Sequence, residues 1–190
     1  MLGRSPDRLT MALNRITLVG DSGVGKSTIA TLLSNQVGHC VRIAVAQPLR
    51  DLEEFVYSRI GAIGPAASGR QDGRLLQIAR DAFEHVSPGF LEADFRRRVE
   101  STPNDTIVIN DDARAAMYEC LRDLRFTLVW VNGPSRDRGD PTLPRILSAH
   151  DRTIERARCQ MTIDNSRTID DLEIRIQALS LYILNSRRGS

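Results

Sequence analysis

Lysine is almost missing from this chain: of its 26 lysine and arginine residues, all but Lys26 are arginine. Where either cation would serve the chain carries arginine, so the single ammonium marks a position that needs a compact point charge. Cysteine is scarce as well. Cys40, Cys120 and Cys159 lie far apart, without a C-x-x-C pair and in odd number, so free thiols are expected, not a disulfide framework or a thiolate metal site. No apolar run has the length of a membrane span or the form of a secretory leader, which leads us to expect a cytoplasmic protein with no membrane partner. The formal net charge is only +2, too small an excess to argue for nucleic acid. At 190 residues the chain suits one domain, or one domain with a small insert, around a sizeable core.

Lys26 lies within Gly20-Asp21-Ser22-Gly23-Val24-Gly25-Lys26-Ser27-Thr28, directly after the apolar run Ile16 to Val19. This is the pattern G-x-x-x-x-G-K-[ST]. Its glycines allow backbone conformations and approaches that a Cβ would block, so successive N–H groups can turn into one concavity, to which a following helix adds its positive end. Asp21, Ser22, Gly23, Val24, Gly25, Lys26, Ser27 and Thr28 are therefore the candidate cradle for a triphosphate, with Lys26 on the β/γ-phosphates and the Ser27 hydroxyl on Mg²⁺.

Apolar runs of strand length alternate with helical patterns, the mark of a parallel α/β sheet. Strands are expected at about 15–19, 41–45, 106–109, 126–131 and 161–164, and helices at about 26–37, 74–86, 88–100, 113–124, 145–158 and 168–185. A further amphipathic helix after Pro48 places Leu49, Leu52, Phe55, Val56 and Ile60 on one stripe, and Ile169, Leu172, Ile176, Leu179 and Ile183 form the core stripe of the last helix. Residues 1–12 read as a flexible N-terminal extension, Gly61 to Gly73 as a mobile loop, and Asn132 to Pro144, with Arg136 and Arg138, as a lid. The cluster Arg96-Arg97-Arg98 reads as the solvent face of a helix.

A second chemical signal is Asp111-Asp112, at the C-terminal end of the apolar strand Thr106 to Ile109. An acid there commonly partners a phosphate loop in holding Mg²⁺, directly or through water. Asp111 and Asp112 join Ser27 as candidate metal ligands, Asp112 slightly ahead, although Asp112 could also cap the helix that follows. A guanine-specific switch is excluded, because its N-K-x-D base motif needs a lysine and the only one is used.

Several short stretches resemble the deoxynucleoside monophosphate kinase group of P-loop kinases over about residues 14–184. Ala46-Gln47-Pro48-Leu49-Arg50 is similar to its A-D-P-L-K, Gly73-Arg74-Leu75-Leu76-Gln77 to its R-x-L-L-Q, and Asp112-Ala113-Arg114 to its D-V-R. His150 stands where the group writes H-x-S-E, and Ile163-Asp164-Asn165-Ser166 is similar to its I-x-N-x-G-T. Gln47 replaces an acid, and the post-strand glutamate has a counterpart only in Glu119, one position late.

The resemblance implies a three-layer P-loop NTPase fold: a mostly parallel five-stranded sheet, helices on both faces and a small lid. The kinase domain would span 13–190, with an acceptor-binding insert at about 48–100 and the lid at about 132–150. It implies ATP and Mg²⁺ as cofactors and phosphoryl transfer to a (deoxy)nucleoside monophosphate. Lys26, Asp112, Arg114 and the lid arginines Arg136 and Arg138 (or Arg145) would be catalytic, Gln47, Arg50, Arg70, Arg74, Gln77 and Arg114 would bind the acceptor, and Asn165 would border the adenine. Two alternatives stay open: a kinase of the same build acting on another small phosphorylated or phosphonate metabolite, or on a modified base in DNA, and a nucleotide-binding regulatory module with little turnover. The expected partner is a small molecule, with a homodimer left open.

Overall fold

The computed structural model describes residues 14–65, 71–135 and 153–188. In chain order the elements are β1 (Arg15–Val19), α1 (Lys26–Val37), β2 (Cys40–Arg42), α2 (Gln47–Arg59), α3 (Gly73–Val86), α4 (Phe90–Glu100), β3 (Ile107–Asn110), α5 (Tyr118–Asp123), β4 (Thr127–Asn132), β5 (Met161–Asp164) and α6 (Ile169–Arg188). They divide into two compact units, one formed by residues 1–42 and 102–190, the other by 43–101.

The first unit is built on a five-stranded sheet of order β2-β3-β1-β4-β5, parallel at every pairing. Period-two alternation sends Ile16, Leu18, Ile107, Ile109, Val129 and Val131 to one face, where they share a core with Ile29 and Leu33 of α1 and Leu172, Ile176 and Ile183 of α6. Burying each such side chain contributes about 1.5–3 kcal/mol. Ile169, expected in that stripe, is exposed. Every residue of β3 is buried, as a strand covered on both faces requires.

Three expected elements differ. β2 stops at Arg42 and not at Val45, because the backbone turns, with Gln47 N–H donating to the Ala44 carbonyl, which also accepts from Arg98 Nη2 at 2.9 Å. The helix expected at 113–124 starts late, as a short 3-10 turn at Ala115–Met117 followed by α5. Asn110 Oδ1 accepts from Ala113 N–H and holds that stretch in a turn, so Arg114 is extended, at φ −116° and ψ 171°. The helix expected at 145–158 lies mostly outside the described residues, and its described end is non-helical up to a 3-10 turn at Arg156–Arg158. The Arg158 guanidinium there covers the Tyr118 ring at 4.4 Å. Residues 1–12, and the lid beyond Ser135, also lie outside the described residues.

The second unit consists of α2, α3 and α4. Asp72 caps α3, its Oδ1 accepting from Arg74 N–H at 3.1 Å and Leu75 N–H at 3.0 Å. The Leu75 amide leads the causes that hold this carboxyl below the usual aspartate value. Asp72 N–H donates to the buried Glu53, and Tyr57 Oη donates to Asp72 Oδ2 at 2.9 Å, so α2 grips the start of α3. Glu53 thus occupies the inner stripe of α2 with Leu49, while Phe55 and Ile60, expected there, are exposed. The expected solvent face Arg96-Arg97-Arg98 is only partly one: Arg97 and Arg98 both pair with Asp94, and Arg98 is half-buried. No helix among the described residues is long and apolar enough to cross a membrane.

Candidate active site

The phosphate loop leaves β1 at Gly20, where a Cβ would lie 2.6 Å from the Val131 carbonyl of the neighbouring strand. Only glycine lets the chain pass that close. Gly25, at φ 92°, ends the loop and opens α1, whose N-terminus has neither a side-chain cap nor an acid in its first turn. Its free N–H groups and dipole are therefore left for an anion. Val24 is buried and anchors the loop, while Asp21, Ser22, Gly23, Ser27 and Thr28 are exposed.

Lys26 Nζ donates to the carbonyls of Gly20 at 2.8 Å and Asp21 at 2.7 Å, which folds the side chain back over the loop. Burial, followed by the Arg114 charge, lowers its pKa below the ordinary lysine value, against the opposing pull of Asp111, Asp21 and Asp112. Three of those four charges come from the 111–114 stretch, far from Lys26 in the sequence. An incoming polyphosphate would supply the negative charge that this crowded ammonium lacks.

Two further contacts brace the loop. Asn165 Nδ2 donates to the Val24 carbonyl at 2.8 Å, and a Cβ on Gly25 would fall 2.5 Å from that nitrogen. Ser135 Oγ donates to the Ser22 carbonyl at 2.7 Å. The amide nitrogen of Asn165, expected beside adenine, is thus committed to the loop backbone.

At the end of β3 the two aspartates have different surroundings. Asp111 is buried and its Oδ2 accepts from Arg42 Nη2 at 2.9 Å, while Arg42 Nη1 reaches Thr31 Oγ1. Asp112 is partly exposed, and its Oδ1 accepts from Asn110 Nδ2 at 2.8 Å. Asp111 already has an arginine. Of the two carboxylates, Asp112 is the more exposed.

Among the described residues no group of three or more His, Cys, Asp or Glu side chains could enclose a metal. Mg²⁺ needs no such cage, since it keeps waters and takes phosphate oxygens, with one or two protein ligands. An exposed Ser27 hydroxyl and the carboxylate of Asp112, both hard oxygen donors, fit that demand.

Apart from Arg114, the described candidate acceptor residues belong to the 43–101 unit. Gln47 Nε2 donates to Asp51 Oδ1 at 2.7 Å and Gln77 Nε2 to Asp81 Oδ1 at 2.9 Å, each across one helical turn. Arg50 is half-buried on α2, and Arg74 is exposed in the first turn of α3. Arg70, Arg136, Arg138, Arg145 and His150 lie outside the described residues. Glu119 is a surface residue paired with Arg122 at 2.6 Å. Sequence reasoning passed over Thr17, Arg42, Glu53 and Asn110. The signal for three of them was a polar side chain at an inward position, Thr17 within β1, Glu53 one turn after Leu49 and Asn110 closing an apolar strand.

No protein-family model matches the chain, and no curated protein does. Solved structures do. A gluconokinase from Sinorhizobium meliloti 1021 superposes with a TM-score of 0.51 at 16% identity, over 94% of this chain and 94% of that one. The likeness is one of fold, a mostly parallel five-stranded sheet with helices. Shikimate kinases from Aquifex aeolicus vf5 (TM-score 0.47, 18% identity, 88% and 96% covered) and from Acinetobacter baumannii in complex with shikimate (0.44, 16%, 91% and 94%) are more distant in TM-score. At 16% identity the gluconokinase likeness speaks for the fold alone.

Proposed function

We propose that the protein transfers the γ-phosphoryl group of ATP, with Mg²⁺, to a (deoxy)nucleoside monophosphate, giving ADP and the diphosphate. The observation that carries this reading is the lone lysine folded over an uncapped helix N-terminus, within electrostatic reach of Asp111, Asp112 and Arg114. Phosphoryl transfer is mainly positioning and neutralisation of charge, and these are the parts it uses. Lys26 exchanges its loop carbonyls for the β/γ oxygens. Ser27 and Asp112 hold the Mg²⁺ ion, which neutralises phosphate charge when bound. Arg114, presented by extended backbone just past β3, clamps the acceptor phosphate in a bidentate fork. Gln47, Arg50, Arg70, Arg74 and Gln77 would bind the acceptor, and Arg136 and Arg138 would be further catalytic cations.

A second reading keeps the chemistry and changes the acceptor. Gln47 and Gln77 spend their amide nitrogens on Asp51 and Asp81, which favours an acceptor recognised through its phosphate or phosphonate by arginine, with no base edge to read.

The test is ADP release with ATP and Mg²⁺ against a panel of nucleoside monophosphates, deoxynucleoside monophosphates and small phosphorylated or phosphonate metabolites. Stimulation by a deoxynucleoside monophosphate is the expected result. Stimulation only by non-nucleotides selects the second reading. Tight ATP binding without turnover on any acceptor points to a regulatory module, and failure to bind ATP removes the proposal altogether.

A further inference from the structure

A cradle for phosphate needs its amide N–H groups turned inward, and the carbonyls of the same peptides then need partners elsewhere. Those partners can be named in the loop after β1. Lys26 Nζ donates to the Gly20 and Asp21 carbonyls, Ser135 Oγ to that of Ser22, Asn165 Nδ2 to that of Val24, and Ile29 N–H to that of Gly25 as α1 begins. The two bonds of the lysine are given up when Lys26 turns to the β/γ oxygens. The Asn165 bond does not depend on that movement.

Asn165 is itself firmly placed. It directly follows β5, and its N–H donates to the Asn132 carbonyl at 2.6 Å, extending the β4–β5 ladder past Asp164. Asp164 accepts from Ser166 N–H at 3.1 Å and pairs with Arg175 of α6 at 3.2 Å, so the turn is anchored on two elements. Two glycines leave the asparagine its room. A Cβ on Gly133 would lie 3.0 Å from the Asn165 carbonyl oxygen, and a Cβ on Gly25 would lie 2.5 Å from its amide nitrogen. Any side chain at position 25 would push that amide off the Val24 carbonyl.

The Val24 carbonyl and the Gly25 N–H are two ends of one planar trans peptide, so they point in opposite directions. A donor fixed on the carbonyl therefore sets the direction of the N–H, one residue before α1 opens at Lys26. We infer that Asn165 is a positioning residue of the phosphate loop, aiming the Gly25 amide at bound phosphate through the Val24 carbonyl, and not a reader of the base. The inference rests on the proposed binding of ATP phosphates by this loop. It gives Asn165 a task different from the adenine border that the sequence resemblance implied.

The experiment compares ATP with inorganic tripolyphosphate, which has the phosphates and no base, by isothermal titration calorimetry with Mg²⁺ on the full chain, below the melting temperature of every variant. Asn165→Ala removes the donor and the bulk, and Asn165→Leu removes the donor while keeping the bulk. Both should lose affinity for tripolyphosphate and for ATP by the same factor, about 10-fold. If Asn165→Leu does not fold, the contrast between the two ligands on Asn165→Ala carries the test alone. A loss for ATP with tripolyphosphate unaffected makes Asn165 a reader of the base and overturns the inference. Wild-type affinity for both ligands, with or without a lower melting temperature, makes the residue structural and overturns it as well. Wild-type affinity in Asn165→Leu beside a loss in Asn165→Ala assigns the effect to volume, with the same consequence. Wild-type protein that binds ATP and not tripolyphosphate draws its affinity from the base, which overturns the inference while ATP binding stands. Wild-type protein that binds neither ligand removes the kinase reading itself.

Discussion

Polar side chains do different work in the two units. In the sheet unit, the buried Thr17 and Asn110 are bonded to each other and on to the partly exposed Asp112, while the half-buried Lys26 folds over the loop carbonyls of Gly20 and Asp21. In the 43–101 unit, Glu53, Asp72 and Asp94 are spent on backbone amides, a tyrosine and arginines of the same unit, and their networks close on themselves. A buried polar group is a sign of chemistry when its hydrogen bonds lead out to a solvent-accessible side chain and not back into its own helices.

The comparison breaks first at Lys26. Lys26→Ala should lower turnover by about 10³-fold, because its charge acts where negative charge develops in the transition state. It should not lower the melting temperature. The lowered pKa means that the fold disfavours the charged form, a cost present below the folded pKa and relieved as pH rises through it, which offsets the bonds to the loop carbonyls. Steady-state rates and a thermal melt on one sample check both halves, and a rate within a few-fold of wild type would sink the assignment.

The opposite pattern is expected at Asp94. Asp94→Ala leaves the half-buried Arg98 without its carboxylate and should cost about 2 kcal/mol in urea unfolding, with nucleotide affinity unchanged. A matching loss of ATP affinity would contradict the division of roles drawn above.

Asp72 gives the smallest effect. Asp72→Ala removes a helix N-cap and should cost about 1 kcal/mol. Because the folded pKa is lowered, wild type holds this advantage fully above the ordinary aspartate value of about 3.9 and loses it as pH falls through the folded value. Parallel melts of wild type and Asp72→Ala should therefore converge in acid; a gap that stays constant would show that the cap does not depend on the charge.

Much of the architecture was legible before any coordinates. β1, α1 and β5 lie where hydrophobic period and glycine pattern placed them, and the phosphate loop follows from local geometry alone, since φ-positive glycines and a following helix define it within nine residues. The expected stretch at 113–124 was misread because its helical pattern is overridden by one side-chain bond, from Ala113 N–H to Asn110, that periodicity does not register. The stripe on α2 was misread for a related reason. A buried Glu53 is compatible with the core only because Asp72 N–H, nineteen residues later in the chain, reaches it.

By itself, then, the order of residues determines the alternation of strands and helices, the parallel sheet it implies and the loop that carries Lys26, because each depends on neighbours a few positions away. That Asp111 pairs with Arg42, and that Asn110 joins Thr17 to Asp112, was decided only in three dimensions. Arg42 and Asp111, and Thr17 and Asn110, are 69 and 93 positions apart, and the parallel register that pairs β1 and β2 with β3 is what brings them within a hydrogen bond.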